Sequence, residues 1–338
     1  MKMELVLGIE TSCDETAAAV LKNGNELLSN VVASQDDIHT KFGGIVPELA
    51  CRRHIECILP VIEKALTDAN VKLKELDGIS VTKGPGLIGS ILIGFSAAKS
   101  IAFAMNKPFI GINHIEGHLN AAFLEKIKPP YPHIALIASG GHTSLFKVMN
   151  FGEYQLLGRT RDDAAGEAFD KVAKMLGYPQ PGGPSIEKSS MKGNPSAINF
   201  PRGMLKDDSL DFSFSGLKTA VMNYLRKLEN DKSEDKADIA ASFQQSVIDT
   251  LVFKTIRALD ECKISSLVVA GGVAANEPLR KVFKKESINK DFKLFIPSIN
   301  FCTDNAAMIA YAGFKRLSRG EKDSLDLNAF ATGFMELA

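Results

Sequence analysis

Apolar residues follow two patterns along this chain: short unbroken runs, and longer stretches in which they recur every three or four positions. The runs read as strands buried on both faces, and the periodic stretches as helices packed against them. Leu5–Ile9 is such a run, and Ala17–Leu21 is its hairpin partner across the polar turn Glu10-Thr11-Ser12-Cys13-Asp14-Glu15-Thr16. A third strand is predicted near Leu27–Val32, then a helix from Pro47 to about Asn70 with a kink or break at Pro60. Strand Asp77–Thr82, the turn Lys83-Gly84-Pro85-Gly86, helix Leu87–Met105 and strand Phe109–Ile112 complete a first block.

Pro129-Pro130-Tyr131-Pro132 marks a boundary between periodic segments, and beyond it the same organisation returns. A buried strand, Ile134–Ala138, meets the turn Ser139-Gly140-Gly141-His142-Thr143; strands Ser144–Val148 and Tyr154–Gly158 follow, then a helix opening after Asp162-Asp163. Pro179-Gln180-Pro181-Gly182-Gly183-Pro184-Ser185-Ile186-Glu187 is expected to be an irregular loop. Phe212–Thr219 precedes another helix, with Ser215, Lys218 and Thr219 available to face a ligand. Asn230–Asp238 reads as a charged inter-helix turn without a function, and Ser242–Leu259 as a long amphipathic helix. Strand Leu267–Ala270 ends in Gly271-Gly272-Val273-Ala274-Ala275-Asn276, where α/β folds place nucleotides, and a helix starts near Pro278. A closing helix follows Phe301-Cys302-Thr303-Asp304-Asn305 and runs through Lys315.

Composition narrows the class. With 45% apolar and 24% charged residues, the 338-residue chain suits a globular α/β protein of two domains. Forty basic residues balance forty acidic ones, so a nucleic-acid partner would need a local basic footprint or one supplied by another subunit; Arg52, Arg53, Lys126 and Lys128 are candidates. Five scattered cysteines without a C-x-x-C fit a reducing compartment. With neither signal peptide nor membrane-spanning run expected, since Gly, Ser and Lys interrupt Ile88–Ala104, the location predicted is cytoplasmic, with no membrane partner.

The chemistry concentrates in Asn113-His114-Ile115-Glu116-Gly117-His118. On a helix, His114 and His118 fall on one face, where they either hold one metal ion with a third ligand or are hydrogen-bonded surface histidines. A zinc-protease helix reads H-E-x-x-H; Glu116 has the wrong offset for that base. Asp304 is either the third ligand or a helix cap. The turn at Glu10–Thr16 either presents amides, hydroxyls and carboxylates to a phosphate or cation, or is a plain hairpin loop.

These segments, together with Asp163-Ala164-Ala165-Gly166-Glu167-Ala168-Phe169-Asp170-Lys171 and Gly182-Gly183-Pro184, resemble the motif set of the TsaD (YgjD/Gcp) family, in family order from about residue 4 to residue 318. The resemblance implies an actin-like ATPase/sugar kinase/Hsp70 fold, with two α/β lobes around a central cleft. Residues 1–128 would form the N-terminal lobe and 129–300 the C-terminal lobe, with 301–338 packing back on the first. It implies transfer of threonylcarbamoyl from threonylcarbamoyl-AMP to N6 of the tRNA adenosine beside the anticodon. It also implies a metal, Fe(II) or Zn, on His114, His118 and Asp304, and substrate contacts at Ile137, Ala138, Ser139, Gly140, Gly141, Asp170, Gly183, Glu187 and Asn276. Asp14 and Glu15 are the candidates for proton handling. A paralogous TsaB-type subunit and a small TsaE-type ATPase are the implied partners, docking on helices of the first lobe. A small-molecule kinase of the same fold is the alternative, and a metalloprotease is disfavoured by the offset of Glu116.

Overall fold

The computed structural model describes residues 3–205, 207–228 and 236–332; most of the charged turn at Asn230–Asp238 lies outside the described residues. The chain divides into two units, the first drawn from Met1–Lys128 and Thr303–Glu336 and the second from Pro129–Cys302.

The first unit is built on a five-stranded sheet of β1 (Leu5–Glu10), β2 (Thr16–Lys22), β3 (Glu26–Ala33), β4 (Gly78–Gly84) and β5 (Phe109–Asn113), in the order β3-β2-β1-β4-β5. β1 pairs antiparallel with β2, from Leu5↔Lys22 to Glu10↔Ala17, and parallel with β4. The unbroken apolar runs have their cause in two-sided burial: Ala17, Ala18, Ala19, Val20 and Leu21 are all fully buried. After the one-turn helix α1 (Asp36–His39) come α2 (Pro47–Asp68), α3 (Ile88–Met105) and the short α4 (His114–Asn120). α2 packs on β2 and β3, and α3 packs on β4 and α2.

Pro60 does not break α2, which runs as one 22-residue helix. Ile58, Val61, Ile62 and Ala65 anchor the helix on the sheet, while Pro60 lies on its exposed side, where water can satisfy the carbonyl of Glu56. α3 also departs from expectation: it spans 18 residues and is long and apolar enough to cross a membrane by length and composition. Its buried residues Phe95, Ala98 and Ala102 belong to the first core, where Phe95 meets Phe109 edge to face at 5.5 Å.

The second unit repeats the sheet order. β6 (His133–Ala138), β7 (Thr143–Asn150), β8 (Glu153–Arg159), β9 (Ser266–Ala270) and β10 (Lys293–Phe295) lie in the order β10-β9-β6-β7-β8, with β6 antiparallel to β7 and parallel to β9. Its helices are α5 (Ala165–Met175), α6 (Gly182–Ser190), α7 (Ser215–Leu228), α8 (Lys236–Cys262), α9 (Glu277–Asn289) and α10 (Ile299–Cys302). α8 crosses the core, and its buried hydroxyls at Ser246, Thr250 and Thr255 donate to carbonyls one turn back, so their burial leaves no donor unsatisfied.

Gly182-Gly183-Pro184 opens α6 rather than lying in an irregular loop. Pro184 sits in the first turn, where an amide would have no partner within the helix, and the Gly182 amide donates to Asp170 Oδ1 at 2.8 Å.

α11 (Ala306–Ser318) returns to the first unit and packs on β1, β2 and β4. It is buried almost all round, from Ala306 to Gly313. Small residues make that approach possible: a Cβ on Gly8 would lie 2.5 Å from the Ala306 carbonyl oxygen.

Candidate metal centre and substrate segments

The histidine helix starts where β5 ends. Asn113 caps it, its side chain accepting from the Ile115 amide at 2.9 Å, which puts His114 in the first turn and His118 one turn on. All seven residues of α4 are buried, and the two imidazoles meet nearly perpendicular with centroids 4.7 Å apart.

Asp304 completes the group. Its Oδ1 lies 3.0 Å from His118 Nε2 and 3.5 Å from His114 Nε2. The cap of α11 is Asn305, whose side chain accepts from the Met308 amide at 3.1 Å, so Asp304 is free of that duty. Two donors bound to one ion at metal-ligand distances lie roughly 3.4 Å apart in tetrahedral geometry, and the separations at Asp304 fit that span. Ligand atoms of the three residues lie within 4.8 Å of one another, so the group could hold a metal ion. His118 Nδ1 is buried and has no hydrogen-bond partner among the described residues, so this ring is not a satisfied core histidine.

Glu10 orients His114. Its Oε2 stands 3.0 Å from His114 Nδ1, and because a carboxylate only accepts, Nδ1–H donates and Nε2 is left facing Asp304. Glu10 is fully buried and also accepts from the Thr82 hydroxyl and the Ser12 amide, while Ser12 Oγ lies 3.1 Å from His114 Nδ1. Burial pushes the Glu10 carboxyl up, but the His114 charge and its hydrogen bonds bring it below the ordinary value. Burial likewise opposes the His114 imidazolium, yet the Asp304 and Glu10 carboxylates raise its pKa to about 9. Two carboxylates around one imidazole make a site that selects for positive charge.

Glu116, two residues into the same helix, points elsewhere. It takes a forked pair from Arg316 of α11, with Nη2 to Oε1 at 2.8 Å and Nε to both oxygens at 3.1 Å. A carboxylate so engaged is no protease base.

The turn between β1 and β2 carries Asp14 and Glu15. Burial, then the charges of Asp14 and Asp304, push the Glu15 carboxyl well up.

In the second unit, Ile137 and Ala138 are fully buried in β6, so only the turn that follows them is open to a ligand. Gly140 and Gly141 have open space where a side chain would stand, as do Gly183 and Gly272. Asp170 holds the start of α6 through Gly182. Asn276 donates to Glu187 Oε2 at 3.0 Å and to Gln244 Oε1 at 2.9 Å, and its own oxygen caps α9 by accepting from the Leu279 amide. Glu187 and Asn276 are thus brought together as one network. Lys218 and Thr219 are engaged within the protein: Lys218 pairs with Asp163 at 2.6 Å and Thr219 donates to the Ser215 carbonyl.

Sequence reasoning passed over Thr82, Arg316, Gln244 and His54. Each acts across a long sequence separation, and no local pattern marks it.

The chain is similar to known proteins in both sequence and fold. The profile of the TsaD family, described as tRNA N6-adenosine threonylcarbamoyltransferase, matches residues 26–311. A protein of that name from Clostridium botulinum (strain 657 / Type Ba4) is 53% identical over 327 residues, covering 96% of each chain. One from Anaeromyxobacter dehalogenans (strain 2CP-C) is 51% identical over 328 residues, covering 97% of this chain and 98% of its own. Among solved structures, HypF of T. kodakarensis superposes with a TM-score of 0.65 at 13% identity, covering 94% of this chain and 49% of that one. Full-length HypF in the phosphate- and nucleotide-bound form gives 0.60 at 14% identity, with 94% and 56% covered. The chain spans about half the length of those HypF chains, and the likeness is one of fold: α/β, of the actin-like ATPase type. With its profile matched across most of its length and relatives half identical from end to end, the chain belongs to the TsaD family, the tRNA N6-adenosine threonylcarbamoyltransferases.

Proposed function

We propose that this protein transfers the threonylcarbamoyl group from threonylcarbamoyl-AMP to N6 of adenosine 37, beside the anticodon, in tRNAs reading codons that begin with adenine. The observation that carries the reading is 53% identity, over 96% of both chains, to a relative bearing that activity's name. The exocyclic amine of the adenosine attacks the carbamoyl carbon, the bond from that carbon to the phosphate oxygen breaks, and AMP departs with the electron pair. The donor is already activated, so positioning and charge stabilisation supply most of the acceleration.

The chain's own residues divide the work. Gly140 and Gly141, which follow Ile137, Ala138 and Ser139, offer unobstructed backbone to the phosphate side of the donor. Asp170, Gly183, Glu187 and Asn276 contact the nucleotide or substrate. Asp14 and Glu15 take the proton that the attacking amine sheds, and the raised proton affinity of Glu15 suits it to that task. His114, His118 and Asp304 would hold one divalent ion, with two imidazoles and one carboxylate suiting Fe(II) first and Zn second. Bound to these residues, it would supply Lewis acidity toward the carbonyl or an anchor for the threonyl end.

The same reading makes residues 1–128 the lobe of the metal helix, 129–300 the lobe of the substrate segments, and 301–338 the segment that closes on the first. It assigns a TsaB-type paralogue and a TsaE-type small ATPase as partners, and the cytoplasm as location. The test incubates the purified protein and these partners with threonylcarbamoyl-AMP and a tRNA reading codons that begin with adenine. Mass spectrometry of the digested nucleosides should show threonylcarbamoyladenosine; unmodified adenosine, where a control enzyme succeeds, sinks the assignment.

A further inference from the structure

We propose that His54 is a positioning residue for the transfer, a clamp on the β1–β2 turn that fixes where Asp14 and Glu15 stand. The inference rests on the role given above to those two carboxylates.

His54 lies on α2 and is fully buried, with both ring nitrogens engaged. Nε2 is 2.9 Å from the Cys13 carbonyl oxygen, and Nδ1 is 2.8 Å from the Thr16 hydroxyl. A carbonyl only accepts, so Nε2 carries the proton and Nδ1 of the neutral ring accepts from Thr16. Burial holds the ring below its ordinary pKa, which keeps it in this form. The two contacts fall on residues 13 and 16, immediately flanking Asp14 and Glu15.

The other arm of the turn is pinned independently. The Ser12 carbonyl accepts from the Leu87 amide at 2.8 Å, and Ser12 Oγ lies 3.1 Å from His114 Nδ1. Thus one imidazole from α2 and one from α4 hold opposite sides of the same five-residue turn. His54 reaches no metal ligand, so its effect on the turn is separable from the metal.

A displacement of about 1 Å in a reacting group can cost on the order of 100-fold in rate. His54→Ala is therefore expected to lower kcat by roughly 10- to 100-fold while KM for tRNA and bound metal stay at the parent values. His54→Gln, whose amide both donates and accepts, should restore most of the rate. Thr16→Val removes one half of the clamp, and should lower kcat alone but add little on top of His54→Ala. A readout independent of activity is the alkylation rate of Cys13, followed by peptide mass spectrometry. It should rise several-fold in His54→Ala and Thr16→Val and return in His54→Gln. Unchanged kcat and Cys13 reactivity in His54→Ala would overturn the clamp, as would a rate loss that tracks metal loss or resists rescue by glutamine. If the parent protein fails to transfer, the functional reading falls instead, and Cys13 reactivity alone decides whether His54 holds the turn.

Discussion

Arg316 and Glu116 form a forked ion pair between the last turn of α11 and the histidine helix, with Nη2 2.8 Å from Oε1. The carboxylate is 3% exposed and the guanidinium 28%, and Glu321 supplies a second carboxylate at 2.6 Å. Glu116→Gln should therefore cost stability rather than chemistry. Loss of one partner from a largely buried pair, discounted for the partly exposed arginine, amounts to about 2–3 kcal/mol. Urea titration should show that loss, with metal per folded chain unchanged. Metal loss at intact stability would instead make Glu116 part of the metal centre.

Glu10 calls for the opposite experiment. It meets the candidate metal group at His114, and Glu10→Gln removes the charge that fixes the ring's proton on Nδ1. Metal affinity should fall by about 10- to 100-fold, as is usual when such an orienting carboxylate is lost. Competition against a chelator measures this, and unchanged affinity would show that Ser12 and the backbone of α4 orient His114 without the Glu10 charge.

His133 makes the second unit sensitive to acid. It is fully buried at the start of β6, its Nδ1 2.9 Å from the Pro130 carbonyl, and burial lowers its pKa from 6.5 to about 4. The unfolded chain therefore binds a proton that the folded chain refuses. Stability from this group is complete above pH 6.5 and is lost as pH falls from there toward 4, by up to roughly 3 kcal/mol. His133→Asn should flatten that part of the stability profile; an unchanged slope between pH 6.5 and 4 would assign the acid sensitivity elsewhere.

Gly8 tests the seating of α11. Its substitute Cβ would stand 2.5 Å from the Ala306 carbonyl oxygen and 2.6 Å from the Ala310 amide nitrogen, both backbone atoms that cannot turn aside. Gly8→Ala should destabilise by about 1–3 kcal/mol and, by shifting the helix that follows Asp304, weaken metal binding as well. Full stability and full metal content in that variant would mean that α11 slides at no cost.

Much of this architecture could be read in advance because it is locally encoded. β1 and β6 announce themselves as unbroken apolar runs, and the histidine spacing places two rings on one face whatever the rest of the fold does. The failures have physical causes. Gly182-Gly183-Pro184 reads as part of an irregular loop, but proline and glycine are tolerated in a first helical turn where no intrahelical amide bond is lost. Pro60 reads as a kink or break, and it is no break, because tertiary packing of its neighbours outweighs one missing hydrogen bond on the solvent side. The network that ties Asn276, the cap of α9, to Glu187 and Gln244 joins residues 32 to 89 positions apart, so Glu187 and Asn276 could be named singly but not as a group. The partnerships of Glu10 with Thr82 and Glu116 with Arg316 span 72 and 200 residues, and no window along the chain contains both members.

The return of α11 to the first sheet has a consequence in time. His118 and Asp304 are 186 residues apart. At about 5–20 residues per second, a ribosome needs roughly 10–40 s to pass from one to the other. For that interval β1 lacks the helix that covers one of its faces, and the continuous Pro129–Cys302 unit is synthesised in full before the first unit can close. The candidate metal group is therefore complete only once Asp304 has been synthesised.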